Sequence, residues 1–213
     1  MIDFYGYNTA NGQKVAVMLE ESGLPYTFKY LDMMSGAHQT DAYKAISPIG
    51  KMPAILDHDG PGGTPLAMFE TLAISAYIAE KSGKLWPTDP RERALAMEWA
   101  TVPPANLNPT FNVLFVLGTR MQGDHAEVKD FYTGQAHRFM AVFEERLGDA
   151  PYLAGDTYSY ADVQLYPVAV VSVATLDGGL DPYPNVRAWA NKIGARPAVK
   201  KGMTVIAEGT PKA

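Results

Sequence analysis

Residues 47–56 read Ser47-Pro48-Ile49-Gly50-Lys51-Met52-Pro53-Ala54-Ile55-Leu56, and residues 66–71 read Leu66-Ala67-Met68-Phe69-Glu70-Thr71. Between them lies Asp57-His58-Asp59-Gly60-Pro61-Gly62-Gly63, so the two short apolar runs form a β-hairpin with a long, turn-rich loop. From Glu70 onward, Ile74, Tyr77, Ile78 and Lys81 recur at helical spacing until Gly83. Working back toward the amino terminus, Tyr26, Phe28 and Tyr30 alternate with Thr27, Lys29 and Leu31, the period of a strand with one buried face. Before that, Val15, Met18, Leu19 and Ser22 fall at i, i+3, i+4 and i+7 ahead of Gly23, and Ile2 to Tyr5 is a short apolar run. The order over residues 1–83 is β-α-β, a loop through Gly36 and His38, then β-β-α.

Lys84-Leu85-Trp86-Pro87-Thr88-Asp89-Pro90 holds two prolines that bar a continuous helix, so residues 84–90 read as a linker. Everything after it, residues 91–213, lacks strand alternation and reads as an all-helical domain. Arg91 to Thr101 is helical in composition, Pro103-Pro104 breaks that helix, and Asp124 is placed to cap a long one carrying Val128, Phe131, Phe139, Val142, Phe143 and Leu147. Ser159-Tyr160-Ala161-Asp162 has the spacing of a capping box, and the apolar stretch from Val163 to Leu176 follows as a buried core helix. That stretch falls short of the ~20 residues a membrane-spanning helix needs.

The chain has 213 residues, no cysteine, and 23 Asp and Glu against 18 Lys and Arg. Such a balance gives no electrostatic reason to expect nucleic acid or a membrane surface as partner. Without cysteine there is no disulfide, thiolate metal site or cysteine nucleophile, so any thiol chemistry must use a borrowed thiol. The four histidines, His38, His58, His125 and His137, show no i, i+4 pair, which argues against a metal site. Asp3 near the start, with no apolar segment after it, reads as a cytoplasmic beginning.

Several separated motifs together resemble the cytosolic glutathione S-transferases: Ser47-Pro48 with Lys51-Met52-Pro53-Ala54-Ile55; Phe69-Glu70-Thr71; Ser159-x-Ala161-Asp162; and Tyr183-Pro184-Asn185-Val186 with Trp189, Ile193, Arg196 and Pro197. The resemblance implies a thioredoxin-like domain followed by an all-helical one, glutathione as co-substrate, and a homodimer. The loop Thr9-Ala10-Asn11-Gly12-Gln13-Lys14 looks most like the bacterial Nu class and related nitrogen-regulator proteins, in which Thr and Asn stand where other branches carry a catalytic tyrosine, serine or cysteine. Ala10 departs from that pattern, which has proline there, and leaves the loop freer.

This resemblance implies a role for each candidate. Asn11, through its amide, and Thr9, through its hydroxyl, would donate to the glutathione sulfur and favour thiolate, although both residues are also ordinary helix caps. Glu70 would take the γ-glutamyl ammonium and Thr71, at a helix start, the carboxylate beside it. A cis Pro53 would present the Met52 main chain to the cysteinyl backbone as an added strand does, whereas composition alone favours a trans bond. Lys51 and His38 would face the glycine carboxylate. Tyr7, Phe111 and Phe115 are candidates for an electrophile site, the phenylalanines having simple core packing as the other reading. The implied activity is transfer of glutathione, or reduction of a disulfide or peroxide. A glutathione-dependent lyase or ether-cleaving enzyme and a non-catalytic binding module are the alternatives.

Overall fold

The computed structural model describes residues 1–211, which form two compact units: Met1–Trp86 together with the C-terminal stretch from Gly194, and Pro87–Ile193. The fold class is the expected one, a small α/β unit and an all-helical unit.

In the first unit the elements are β1 (Ile2–Gly6), α1 (Ala10–Ser22), β2 (Tyr26–Tyr30), α2 (Asp41–Lys44), β3 (Ala54–Asp57), β4 (Leu66–Phe69) and α3 (Thr71–Ser82). The four strands lie in the order β2-β1-β3-β4, with β1 parallel to β2 and antiparallel to β3, and β3 antiparallel to β4. Tyr26, Phe28 and Tyr30 are half-buried while Thr27 and Lys29 are exposed, as the alternation requires. Gly23 and Gly83 end α1 and α3 in the left-handed region, where glycine carries no Cβ penalty.

The division of the chain differs from the sequence expectation at its far end. Residues 91–213 do not all belong to the helical unit, because the last helix, Pro197–Glu208, packs along α1. Gly202 is the reason the two helices can meet: a Cβ there would lie 2.5 Å from the Val17 Cα. Arg196 then donates to both carboxylate oxygens of Glu21 at 2.6 and 2.8 Å, and Lys201 pairs with Glu20 at 2.9 Å.

The second unit comprises α4 (Pro90–Val102), α5 (Asn108–Thr119), α6 (Ala126–Asp149), α7 (Tyr160–Pro167) and α8 (Pro184–Gly194), so the Pro197–Glu208 helix of the first unit is α9. Pro103-Pro104 widens the helical path where a break was expected. A π turn over Pro103–Leu107 joins α4 to α5, and the Asn108 amide donates to the Pro103 carbonyl. One extra residue in the turn relieves the clash and the missing N–H that proline brings. The apolar stretch after Ser159 is likewise not one helix: α7 stops at Pro167, and a π turn (Val168–Ser172) and a 3-10 turn (Val173–Thr175) complete it. Asp124 is not the cap of α6; His125, at φ 46°, occupies that position and no side chain caps it. The Ser159–Asp162 capping box is present as expected. Fully buried, the Asp162 carboxylate accepts from the Ser159 and Leu153 amides, both at 3.0 Å, and from the Trp189 indole at 2.9 Å.

Candidate active site

Strand register decides which candidates meet. Ala54 pairs with Tyr5 on one side and with Phe69 on the other. One step beyond each pair, Pro53 stands between Gly6 and Glu70, so the loop from Tyr7 to Asn11, the Met52-Pro53 bond and the start of α3 share one end of the sheet. Tyr30 is opposite Gly6 in the parallel pair, which sends the chain through Leu31 toward His38 at that same end. All the first-unit candidates, far apart in sequence, therefore cluster where β1, β2 and β4 end and β3 begins.

At the head of α1, Thr9 is extended and its Oγ1 accepts from the Gly12 amide at 3.1 Å while donating to the Tyr7 carbonyl at 3.4 Å. Thr9 thus acts as the N-cap. Gly12 has to be glycine here, since a Cβ would lie 2.4 Å from the Tyr7 carbonyl oxygen. The first turn carries no acidic side chain, so the positive end of α1 faces the cluster without a resident counter-charge, and Asn11 is half-buried in that turn.

The Met52–Pro53 bond is cis. The Lys51 carbonyl accepts from the Tyr43 hydroxyl at 2.8 Å and the Ser47 hydroxyl at 2.9 Å, which fixes the turn before it. Met52 lies just outside the β3 ladder. Gly50, at φ 60°, approaches the 38–39 segment so closely that a Cβ would be 3.1 Å from the His38 carbonyl, so His38 and the exposed Lys51 belong to one loop cluster. The His38 Nδ1 is buried with no hydrogen-bond partner among the described residues.

Glu70 caps α3 in a conformation that L-residues rarely hold, φ 72° and ψ 119°, with its side chain exposed and not bonded to the helix. Strained backbone of this kind is concentrated at ligand sites. Thr71, directly after it, is buried.

Aromatic residues of the first unit are packed together, and the remaining candidates lie in the helical unit. Tyr5 packs against Tyr43 with ring centroids 6.0 Å apart, and burial pushes its hydroxyl pKa up. Tyr7 is half-buried beside Tyr30 at 5.9 Å. Phe111 and Phe115 belong to the helical unit, where they line a cavity of about 510 Å³. The residue that sequence reading passed over is Lys14. It has no exposed surface, its Nζ has no hydrogen-bond partner among the described residues, and burial pushes its pKa down to about 7. The signal was present: Val15 to Leu19 is apolar on every face of α1, so a lysine adjoining it has little access to water. Among the described residues no group of three or more His, Asp or Glu is placed to hold a metal ion, and no helix is long and apolar enough to cross a membrane.

Residues 10–81 match the family model for the glutathione S-transferase N-terminal domain, and residues 110–201 that for the C-terminal domain. The chain is 34% identical to the disulfide-bond oxidoreductase YfcG of Escherichia coli over 95% of its own length and 94% of that protein's. The chain belongs to the glutathione S-transferase family. Among solved structures of that family, a glutathione transferase from Burkholderia graminis with two glutathione molecules bound per subunit superposes with a TM-score of 0.90 at 32% identity, covering 98% of this chain and 89% of that one. A second, from Pseudomonas putida with one glutathione disulfide per subunit, gives a TM-score of 0.87 at 30% identity over 96% and 91%. As a member of this family the chain is a glutathione transferase-like enzyme.

Proposed function

We propose that the protein binds glutathione at the shared sheet end and uses its thiolate to reduce a disulfide, as a Nu-class enzyme of the family. The observation that carries this reading is the register-enforced meeting of an acid-free helix start (α1), the cis Met52–Pro53 segment before β3 and an exposed acid at the N-cap of a second helix (α3). These match the parts of the ligand. The γ-glutamyl ammonium goes to Glu70 and its carboxylate to the start of α3 at Thr71; the cysteinyl main chain pairs with Met52 beside Pro53. The glycine carboxylate lies toward Lys51 and His38. This places the sulfur at the head of α1, where Asn11 donates to it and the Thr9 hydroxyl does so on turning away from the Tyr7 carbonyl, and a thiol with ordinary pKa of about 8.5 ionises more readily there.

With no cysteine in the chain, the reaction runs between ligands. A bound thiolate attacks one sulfur of the disulfide and expels the other as a thiolate; a second glutathione thiolate then attacks the mixed disulfide, giving glutathione disulfide and the second reduced product. The same thiolate serves reduction of a peroxide or transfer to an electrophile placed near Tyr7. We further propose a cytoplasmic homodimer, on the family resemblance.

Calorimetric titration with reduced glutathione and, separately, glutathione disulfide tests the binding assignment, with Asn11→Ala turnover testing the chemistry. Saturable binding, weakened in Glu70→Gln, and a turnover loss of about tenfold or more in Asn11→Ala at unchanged affinity are the expected results. Absence of binding by either form would remove the proposal, and full turnover in Asn11→Ala would remove the sulfur role.

A further inference from the structure

The cavity in the helical unit carries a second, independent message. Phe111, Leu114, Phe115 and Gly118 recur at i, i+3, i+4 and i+7 on α5, one stripe forming a wall of the 510 Å³ space, and Val171 and Leu176 close it from the turns after α7. Such a stripe normally faces core, yet Phe115 is 53% exposed and a Cβ built on Gly118 meets nothing within 4 Å. The space is of small-molecule size. Facing the stripe from α6 are Lys129 and, one turn later, Thr133.

Lys129 is the one charged residue among the described residues lining the cavity. It is half-buried, and it forms no ion pair with any described carboxylate. The nearby Arg120 guanidinium lies 5.6 Å from the Phe115 ring, so the adjoining rim is positive as well. Two lining hydroxyls are already engaged, Thr119 donating to the Phe115 carbonyl at 2.7 Å and Thr175 to the Ser172 carbonyl at 2.6 Å, so the polar groups facing the space include the Lys129 ammonium and the Thr133 and Ser172 hydroxyls, of which only the ammonium is charged. A glutathione molecule suits this lining poorly, because its ammonium would find no carboxylate there.

We infer that this cavity binds an apolar molecule bearing a single carboxylate, with the hydrocarbon or aryl body against Phe111 and Phe115 and the carboxylate on Lys129. The binding claim stands on the cavity alone.

The test titrates the full chain with 4-phenylbutanoate and with its neutral amide, 4-phenylbutanamide, without glutathione. The acid should bind saturably and about tenfold tighter than the amide, the scale of one charge-assisted contact that is partly shielded from water. Lys129→Met should reduce that preference to less than twofold while Lys129→Arg keeps it, and Gly118→Leu, which fills the open space, should abolish binding of both probes. Glutathione affinity, titrated in parallel, should be the same in all three variants; its absence in the unaltered chain would defeat the proposed function and not this site. The inference is overturned if neither probe binds, if acid and amide bind alike, if the preference survives Lys129→Met, or if saturating glutathione displaces the acid, since the acid would then occupy the anion site of the first unit.

Discussion

Replacing Lys14 by methionine probes the packing of α1 and carries a pH signature of its own. The Lys14 ammonium is fully buried, and burial pushes its pKa from 10.5 down to about 7. At ~1.4 kcal/mol per tenfold, a fall of about three and a half decades means that burying the charged form costs about 4 to 5 kcal/mol. Methionine keeps the unbranched stem and similar volume without the charge. Lys14→Met is therefore expected to raise the unfolding free energy by about 3 to 4 kcal/mol at pH 7.

The pH dependence follows from which state holds the proton. Below pH 7 the lysine is charged in both states and the penalty is complete. Between pH 7 and 10.5 the unfolded chain holds a proton that the folded chain has released, so unaltered protein gains stability as pH rises. Above 10.5 both states are neutral and the penalty is gone. The stability gap between variant and unaltered protein should shrink by ~1.4 kcal/mol per pH unit above 7 and close near pH 10.5, other titrations being common to both and cancelling in the difference. Urea unfolding of both proteins at pH 7, 8, 9 and 10 measures it. A gap that does not change with pH, or a variant less stable at pH 7, would refute the picture of an unpaired buried ammonium.

Three further outcomes are expected. Gly202→Ala should destabilise the chain by about 1 to 3 kcal/mol in urea unfolding, because the added methyl meets the α1 main chain at Val17 and forces α9 outward. Asp162→Ala leaves three buried N–H groups, of Leu153, Ser159 and Trp189, without their acceptor and should cost about 3 to 5 kcal/mol, read by the same method with Trp fluorescence as a local probe. Glu70→Gly should have opposite effects on two measurements. Thermal unfolding would show a gain of about 1 kcal/mol from relief of the positive φ, while glutathione affinity by calorimetry would fall by about tenfold or more. A loss of stability there would mean that the Glu70 backbone is not strained.

Local chemistry wrote much of this fold into the sequence. The alternation at Tyr26, Phe28 and Tyr30, the glycine stops at Gly23 and Gly83, and the Ser159–Asp162 capping box each depend on neighbours within a few residues, and each stands in the structure as read. Prolines were less legible, because Pro103, Pro104 and Pro167 can end a helix or be absorbed in a wider turn, and packing selects between the two. Candidate residues such as Glu70 and Pro53 were legible through a resemblance in motif, whereas their meeting was not: it follows from the Tyr5–Ala54–Phe69 register, a property of long-range strand pairing. Tertiary structure alone decided that the last helix leaves the helical unit for α1 at Gly202 and that Lys129 faces an apolar cavity. Sequence sets what a segment can form and which face is apolar; where one face lands against another is fixed by contacts between residues tens of positions or more apart.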